Sequence, residues 1–201
     1  MDYVKLPKTK RGEITFKKLC TAAEELFSEN GFYDTEISDI TKRAGVAAGT
    51  FYIYFSDKHG AFLHLLDELG RELRHEIRRA KEAQNLDSFI ELERISVRTF
   101  FCFINKHFGL FRIVWQAQFV DVDSFKQYYE RFSGGYIREI MKSQSTGEIQ
   151  AFDPALISFV LMGIHSFVAL KHFVFDGSAL DEAVVEQVVE FIAHGLLRNT
   201  D

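Results

Sequence analysis

Thr35-Glu36-Ile37-Ser38-Asp39-Ile40-Thr41-Lys42-Arg43-Ala44-Gly45-Val46-Ala47-Ala48-Gly49-Thr50-Phe51-Tyr52-Ile53-Tyr54-Phe55-Ser56-Asp57-Lys58 holds two short helical patterns separated by a glycine. Ile37, Ile40 and Ala44 fall at helical spacing, and Gly45 follows where a chain leaves a helix through a left-handed conformation. A second helix is expected from about Ala48. Phe51 and Phe55 lie four apart and turn inward together, which leaves Thr50, Tyr52, Ile53 and Tyr54 for other faces. This is the layout of a helix-turn-helix, whose second helix is short and exposed enough to enter a major groove.

Working outward, Phe16, Leu19, Cys20, Ala23, Leu26 and Phe27 form a stripe at the 3.6-residue period that Gly31 ends. Thr35 is placed to cap the second helix, and Ser56 or Asp57 to cap a fourth that runs from Lys58 to about Ala83. Beyond Asn85 the expected helices are Asp87–Lys106, Phe108–Phe119, Asp123–Ser143, Pro154–Phe175 and Leu180–Arg198. Gly134-Gly135 is a place where the third of these kinks or breaks. Asp153 before Pro154 is a strong helix start, since proline suits the first helical position. With only two prolines and no alternating run, the chain reads as all helical.

Composition narrows the possibilities further. The 201 residues are 47% hydrophobic and 14% aromatic, enough for a packed core without staples. Cys20 and Cys102 match no metal spacing and read as free thiols of a reducing cytoplasm. Met1 to Arg11 is polar and carries no apolar run, so it is not a secretory signal. Ala155 to Phe175 has the length of a membrane span, but Ser158, His165, Ser166, Lys171 and His172 make it read as a helix buried in protein. No membrane association is expected.

The net charge is −5, yet residues 1–60 carry nine basic and nine acidic groups, so the deficit lies downstream. Lys8, Lys10 and Arg11 form a basic arm that reads either as a solvated tail or as a phosphate contact. Of enzyme signatures, Glu72-Leu73-Arg74-His75 has the spacing of one half of a di-iron site and lacks its second copy. No His-Glu-x-x-His, Cys-x-x-Cys, Walker loop or nucleophile elbow is present. No catalytic residue, metal site or cofactor is expected.

The stretch from about Glu13 to Leu73 resembles the DNA-binding domain of the TetR family of bacterial transcriptional regulators. Leu19-Cys20-Thr21-Ala22-Ala23-Glu24-Glu25-Leu26-Phe27-Ser28-Glu29-Asn30-Gly31-Phe32 looks like the family's first helix. Ala44-Gly45-Val46, Gly49-Thr50, Tyr52, Phe55 and Lys58 complete the pattern. Ala47 departs from it where the family often has a capping serine or threonine, and Ile53 and Tyr54 depart where basic or imidazole side chains are frequent.

The resemblance implies a head at residues 13–73, with its helix-turn-helix at about 36–55, and a ligand-binding and dimerisation domain at 74–201. By resemblance, Tyr52 and Lys58 contact phosphates, and Thr35 adds another contact. Thr50, Ile53 and Tyr54 face base edges, and Gly49 permits close approach of the backbone. The implied function is a repressor that binds a palindromic operator as a homodimer through 154–175 and 180–198, released by a small hydrophobic effector. Among the many phenylalanines of the rear half, Trp115, Gln116, Phe119, Tyr128, His165 and His172 are the candidate ligand contacts, with Gln118 and Tyr129 beside them. The competing expectation is a helical lipid or metabolite carrier that does not bind DNA.

Overall fold

The computed structural model describes residues 3–84, 86–179 and 181–197. Nine α-helices occur among them: α1 Lys10–Asn30, α2 Ile37–Ala44, α3 Ala48–Tyr54, α4 Lys58–Glu82, α5 Phe89–Lys106, α6 Phe108–Val120, α7 Val122–Ser145, α8 Pro154–Ala169 and α9 Glu182–Leu196. The all-helical expectation holds, with two isolated bridges, Val4 to Phe55 and Ile149 to Leu197. The expected ends at Leu180 and Arg198 lie outside the described residues.

Local chemistry sets most helix ends. Thr9 caps α1 by accepting from the Gly12 N–H at 3.1 Å, and Asp57 opens α4 by accepting from the Gly60 N–H at 2.7 Å. Asp153 and Asp181 cap α8 and α9 through the Ala155 and Val184 amides. The glycine pair at 134 and 135 does not interrupt α7, which runs unbroken through it. That helix does so against the roughly 1 kcal/mol that each glycine costs in helix propensity. Pro154–Phe175 is not one regular helix: α8 passes at Leu170 into a π-helical stretch, Leu170–Asp176, closed by Gly177 at φ 62°.

Two compact units result. The first holds the residues up to Arg71 together with His107–Tyr128, and the second holds Glu72–Lys106 and the residues from Tyr129 onward. The sequence boundary at 73/74 therefore needs correction, because α6 belongs with the head. There it packs on α1, and its side chains close the end of that helix. The Gln116 amide donates to the Phe27 carbonyl at 2.9 Å and accepts from the Phe32 N–H at 2.7 Å. Arg112 donates to the Ser28 carbonyl at 2.8 Å. The Phe27 carbonyl also accepts from the Gly31 N–H at 3.1 Å, and α6 adds side-chain donors at the end of α1, where intrahelical partners run out.

The core of the first unit is aromatic: Phe27, Phe51, Phe55 and Phe62 are essentially fully buried. Phe16 stacks on Phe55 at 5.3 Å between ring centroids and meets His64 edge-on at 5.2 Å. In the second unit α5 packs against α9 and α8. Arg94 pairs with Glu186, and Arg98 with Glu182, across the rim of the α5 and α9 contact, while Glu91 holds Arg94 from within α5.

Candidate nucleic-acid interface and interior polar cluster

The head builds an outward-facing α3 from three constraints. α2 ends at Gly45, whose backbone is left-handed at φ 66° and ψ 39°, and the Gly45 and Val46 amides return to the Lys42 and Thr41 carbonyls at 3.1 and 3.0 Å. A β-carbon at Gly45 would touch nothing within 4 Å, so glycine is needed there for its torsion angle alone. Ala47 precedes α3 and makes no side-chain cap. Phe51 and Phe55 then lock the helix inward.

The third constraint was hidden in the sequence. Residues 3–5, expected to be part of a polar tail, lie antiparallel to the end of α3. The Lys5 N–H donates to the Tyr54 carbonyl at 2.8 Å and the Ser56 N–H to the Tyr3 carbonyl at 3.2 Å. Gly60 lets Tyr3 approach, since a β-carbon there would stand 2.9 Å from the Tyr3 β-carbon. The apolar Tyr3, Val4 and Leu6 within an otherwise polar segment are the signal that could have shown this. Lys5, Lys8, Lys10 and Arg11 stay exposed beside it.

Of the residues expected at DNA, Tyr52 and Ile53 are 58% and 59% exposed, Gly49 is exposed and Thr50 half-buried. Tyr54 does not join them. It is 9% exposed, its hydroxyl donates to the Gly12 carbonyl at 3.3 Å, and its ring meets Phe16 edge-on. Three residues after Phe51, Tyr54 shares the inner face of the helix, as the i, i+3 relation requires. It is a core residue, not a base contact.

Thr35 is also corrected. It is fully buried, and its hydroxyl donates to the Leu26 and Gly31 carbonyls at 3.2 and 2.7 Å. Glu36 takes the cap position instead, its N–H received by Asp39 at 3.3 Å. Lys58 stands at the start of α4 with its ammonium donating to the Tyr33 and Thr35 carbonyls at 3.2 and 2.7 Å, 4.7 Å over the Phe32 ring. Arg43 is occupied by Glu25 and Glu29 of α1 at 3.1 and 2.9 Å. This pairing holds the Glu29 carboxyl below its usual range.

The six expected ligand contacts are divided between the two units. Trp115, Gln116, Phe119 and Tyr128 belong to the first unit, where Gln116 ties α6 to α1 and Phe119 is 74% exposed. His172 sits in the π-helical stretch, with Nδ1 3.3 Å from the Ser178 hydroxyl. His165 alone is interior. Its Nε2 lies 2.9 Å from Glu93 Oε1 of α5, its Nδ1 is 3.4 Å from the Tyr136 hydroxyl of α7, and its ring lies 5.9 Å from that of Phe100. Burial, reinforced by Glu93 and Glu139, pushes the Tyr136 phenol well up, so it stays a proton donor. Sequence reading missed Glu93, although an acid on the apolar stripe Phe89, Ile90, Val97 is a detectable signal. Nearby, the Ser133 and Ser158 hydroxyls meet at 2.8 Å.

The α8 and α9 surfaces are apolar and open. Leu156, Phe159, Val160, Phe167 and Phe191 are 61%, 51%, 46%, 62% and 70% exposed. The segment Pro154–Asp176 is long and apolar enough to cross a membrane by length and composition, and only a third of its most apolar window is buried within the chain. The expectation of a helix covered by its own protein therefore fails on one face.

Residues 19–65 match the family described as bacterial regulatory proteins, tetR family. An HTH-type transcriptional regulator of Bacillus subtilis is 42% identical over 64 residues, 32% of each chain. The fatty acid metabolism regulator protein of the same organism is 40% identical over 53 residues, 26% of this chain and 27% of that protein. The matched stretch thus spans about a third or less of these curated relatives. Across the whole fold, the fatty acid degradation regulator FadR from Bacillus halodurans superposes with a TM-score of 0.79 at 20% identity, covering 94% of this chain and 97% of that one. FadR from Bacillus subtilis in complex with stearoyl-CoA gives a TM-score of 0.77 at 20% identity, covering 90% and 98%. Residues 19–65 thus match the tetR family's head motif, and the chain as a whole shares the fold of these solved regulators.

Proposed function

We propose that the protein is a cytoplasmic DNA-binding transcriptional regulator, a repressor that grips a palindromic operator as a homodimer and leaves it when a small hydrophobic effector binds. The observation that carries this reading is α3: its inner face is locked by Phe51, Tyr54 and Phe55 while Tyr52 and Ile53 project outward. Ile53 suits thymine methyls, and Thr50 suits either a methyl or a hydrogen-bonding base edge. Tyr52 and Lys58 serve phosphates. The Lys58 ammonium has three protons and spends two on carbonyls, which leaves one for an anion at the start of α4.

One short helix reads only a few base pairs, so two-fold pairing is needed for a specific site. The exposed faces of α8 and α9 supply an apolar surface of the kind that pairs into a four-helix interface. The relatives named for fatty acid metabolism favour an aliphatic effector. Release by a hundredfold requires a coupling of only about 2.7 kcal/mol.

A gel-shift titration against the DNA upstream of the protein's own coding sequence tests the proposal. A regulator retards a palindromic fragment as a dimer and is displaced by competitor of the same sequence. Retardation that does not depend on sequence, or none, would point instead to the carrier reading.

A further inference from the structure

Among the described residues, the buried side-chain atoms that lack a hydrogen-bond partner are both carboxyl oxygens of Glu93 and Nε2 of His165. The two residues are 1% and 5% exposed. They stand 2.9 Å apart, yet they are not aligned for a hydrogen bond. A buried carboxyl group without aligned donors is among the costlier things a helical bundle can hold, and such groups persist where another partner satisfies them. The local supply is short. A carboxylate offers about four acceptor positions, whereas Ser96 donates to the Leu92 carbonyl and Tyr136 has one proton to divide between His165 and Glu93.

We infer that Glu93, with His165 and Tyr136 around it, is the anchor for the polar end of the effector, and that this end is a hydrogen-bond donor, an alcohol or an amine, on an aliphatic body. Glu93 accepts from the donor, while the Phe100 ring beside His165 offers an apolar wall to the chain. A free carboxylate would bring a second anion to a buried acceptor and is disfavoured by repulsion and lost hydration. Acceptor-rich ends without a proton, such as esters, gain nothing from Glu93. This inference deepens the effector part of the proposed function.

Titration calorimetry of the full chain with 1-decanol, decylamine and decanoate at equal ionic strength tests it. The donors are expected to bind at least tenfold tighter than decanoate, and Glu93→Gln, which puts an N–H donor in the same place, is expected to erase or invert that order. On unsubstituted protein, the His165 ring resonances are expected to shift during the decanol titration, a readout that does not require the variant to fold. Equal binding of the three probes, binding of none, or an unmoved His165 would overturn the inference. Because DNA retardation is measured separately, a chain that prefers donors but ignores DNA would sink the regulator reading and leave the anchor standing. A chain that shifts a palindrome but shows no donor preference would do the reverse.

Discussion

The two units treat buried polarity in opposite ways. In the head, the buried Thr35 hydroxyl donates to two carbonyls, and the last carbonyls of α1 are met by Gln116 and Arg112 from a helix more than 80 residues away. The rear unit encloses the Glu93 carboxyl oxygens and His165 Nε2 without aligned partners and leaves the apolar faces of α8 and α9 open. A satisfied interior gives one rigid arrangement. An unsatisfied one is suited to a guest that completes it. On the proposed function, this contrast suits a head that holds a surface still and a rear that responds.

The strongest way to break that contrast lies within α3. Phe51→Ala is expected to cost about 3–5 kcal/mol of stability by opening the aromatic core, with Tyr54→Ala close behind. Ile53→Ala should change stability by less than about 0.5 kcal/mol while weakening specific DNA binding about tenfold. Chemical denaturation of each variant, paired with DNA titration, separates the two classes. A stable Tyr54→Ala with lost base preference would return Tyr54 to the groove face.

Gly45→Ala comes next, with an expected loss of about 1–2 kcal/mol from the left-handed backbone alone. Since nothing crowds the site, Gly45→Asn should lose less, and the denaturation midpoints of the pair would show it. A loss equal to that of Phe51→Ala would mean that the turn is crowded.

His64 sharpens the contrast through pH. Burial lowers its pKa below the ordinary 6.5, so the unfolded chain binds the proton more readily. Its contribution is full above about pH 6.5 and is lost as pH falls toward the depressed folded value. His64→Gln should flatten the decline of thermal stability below that pH, and an unchanged profile would show that the imidazole is not shielded.

The smallest expected effect is a gain. Ala47→Ser adds the missing cap of α3 and should stabilise the head by about 0.5–1 kcal/mol. A thermal melt that does not rise would mean that α3 needs no cap.

These cases also show what sequence could convey. Helix number, the αL glycine, the Asp57 and Asp153 starts and the outward Tyr52 and Ile53 follow from local periodicity and capping, which act over a few residues. Tyr54 was misassigned because a tyrosine on a short helix is amphipathic, and only packing against Phe16 and Gly12 decides its face. Gln116 read as a ligand contact for the same reason: a polar group on an apolar helix is equally suited to a ligand and to a distant helix end. The placement of α6 in the head, the bridge from Val4 to Phe55 and the meeting of Glu93 with His165 each join residues tens of positions apart. No pattern within one helix encodes such pairings.

On the proposed function, Thr50, Tyr52 and Ile53, held outward by a locked inner face, read DNA from two symmetry-related heads. Selection of bound duplexes from a randomised pool, run with the unsubstituted chain and with Ile53→Ala, tests it most directly. The expected result is enrichment of a two-fold symmetric sequence by the former and relaxed preference at one position in each half-site by the latter. Enrichment of no symmetric sequence, or an identical preference in both proteins, would contradict it.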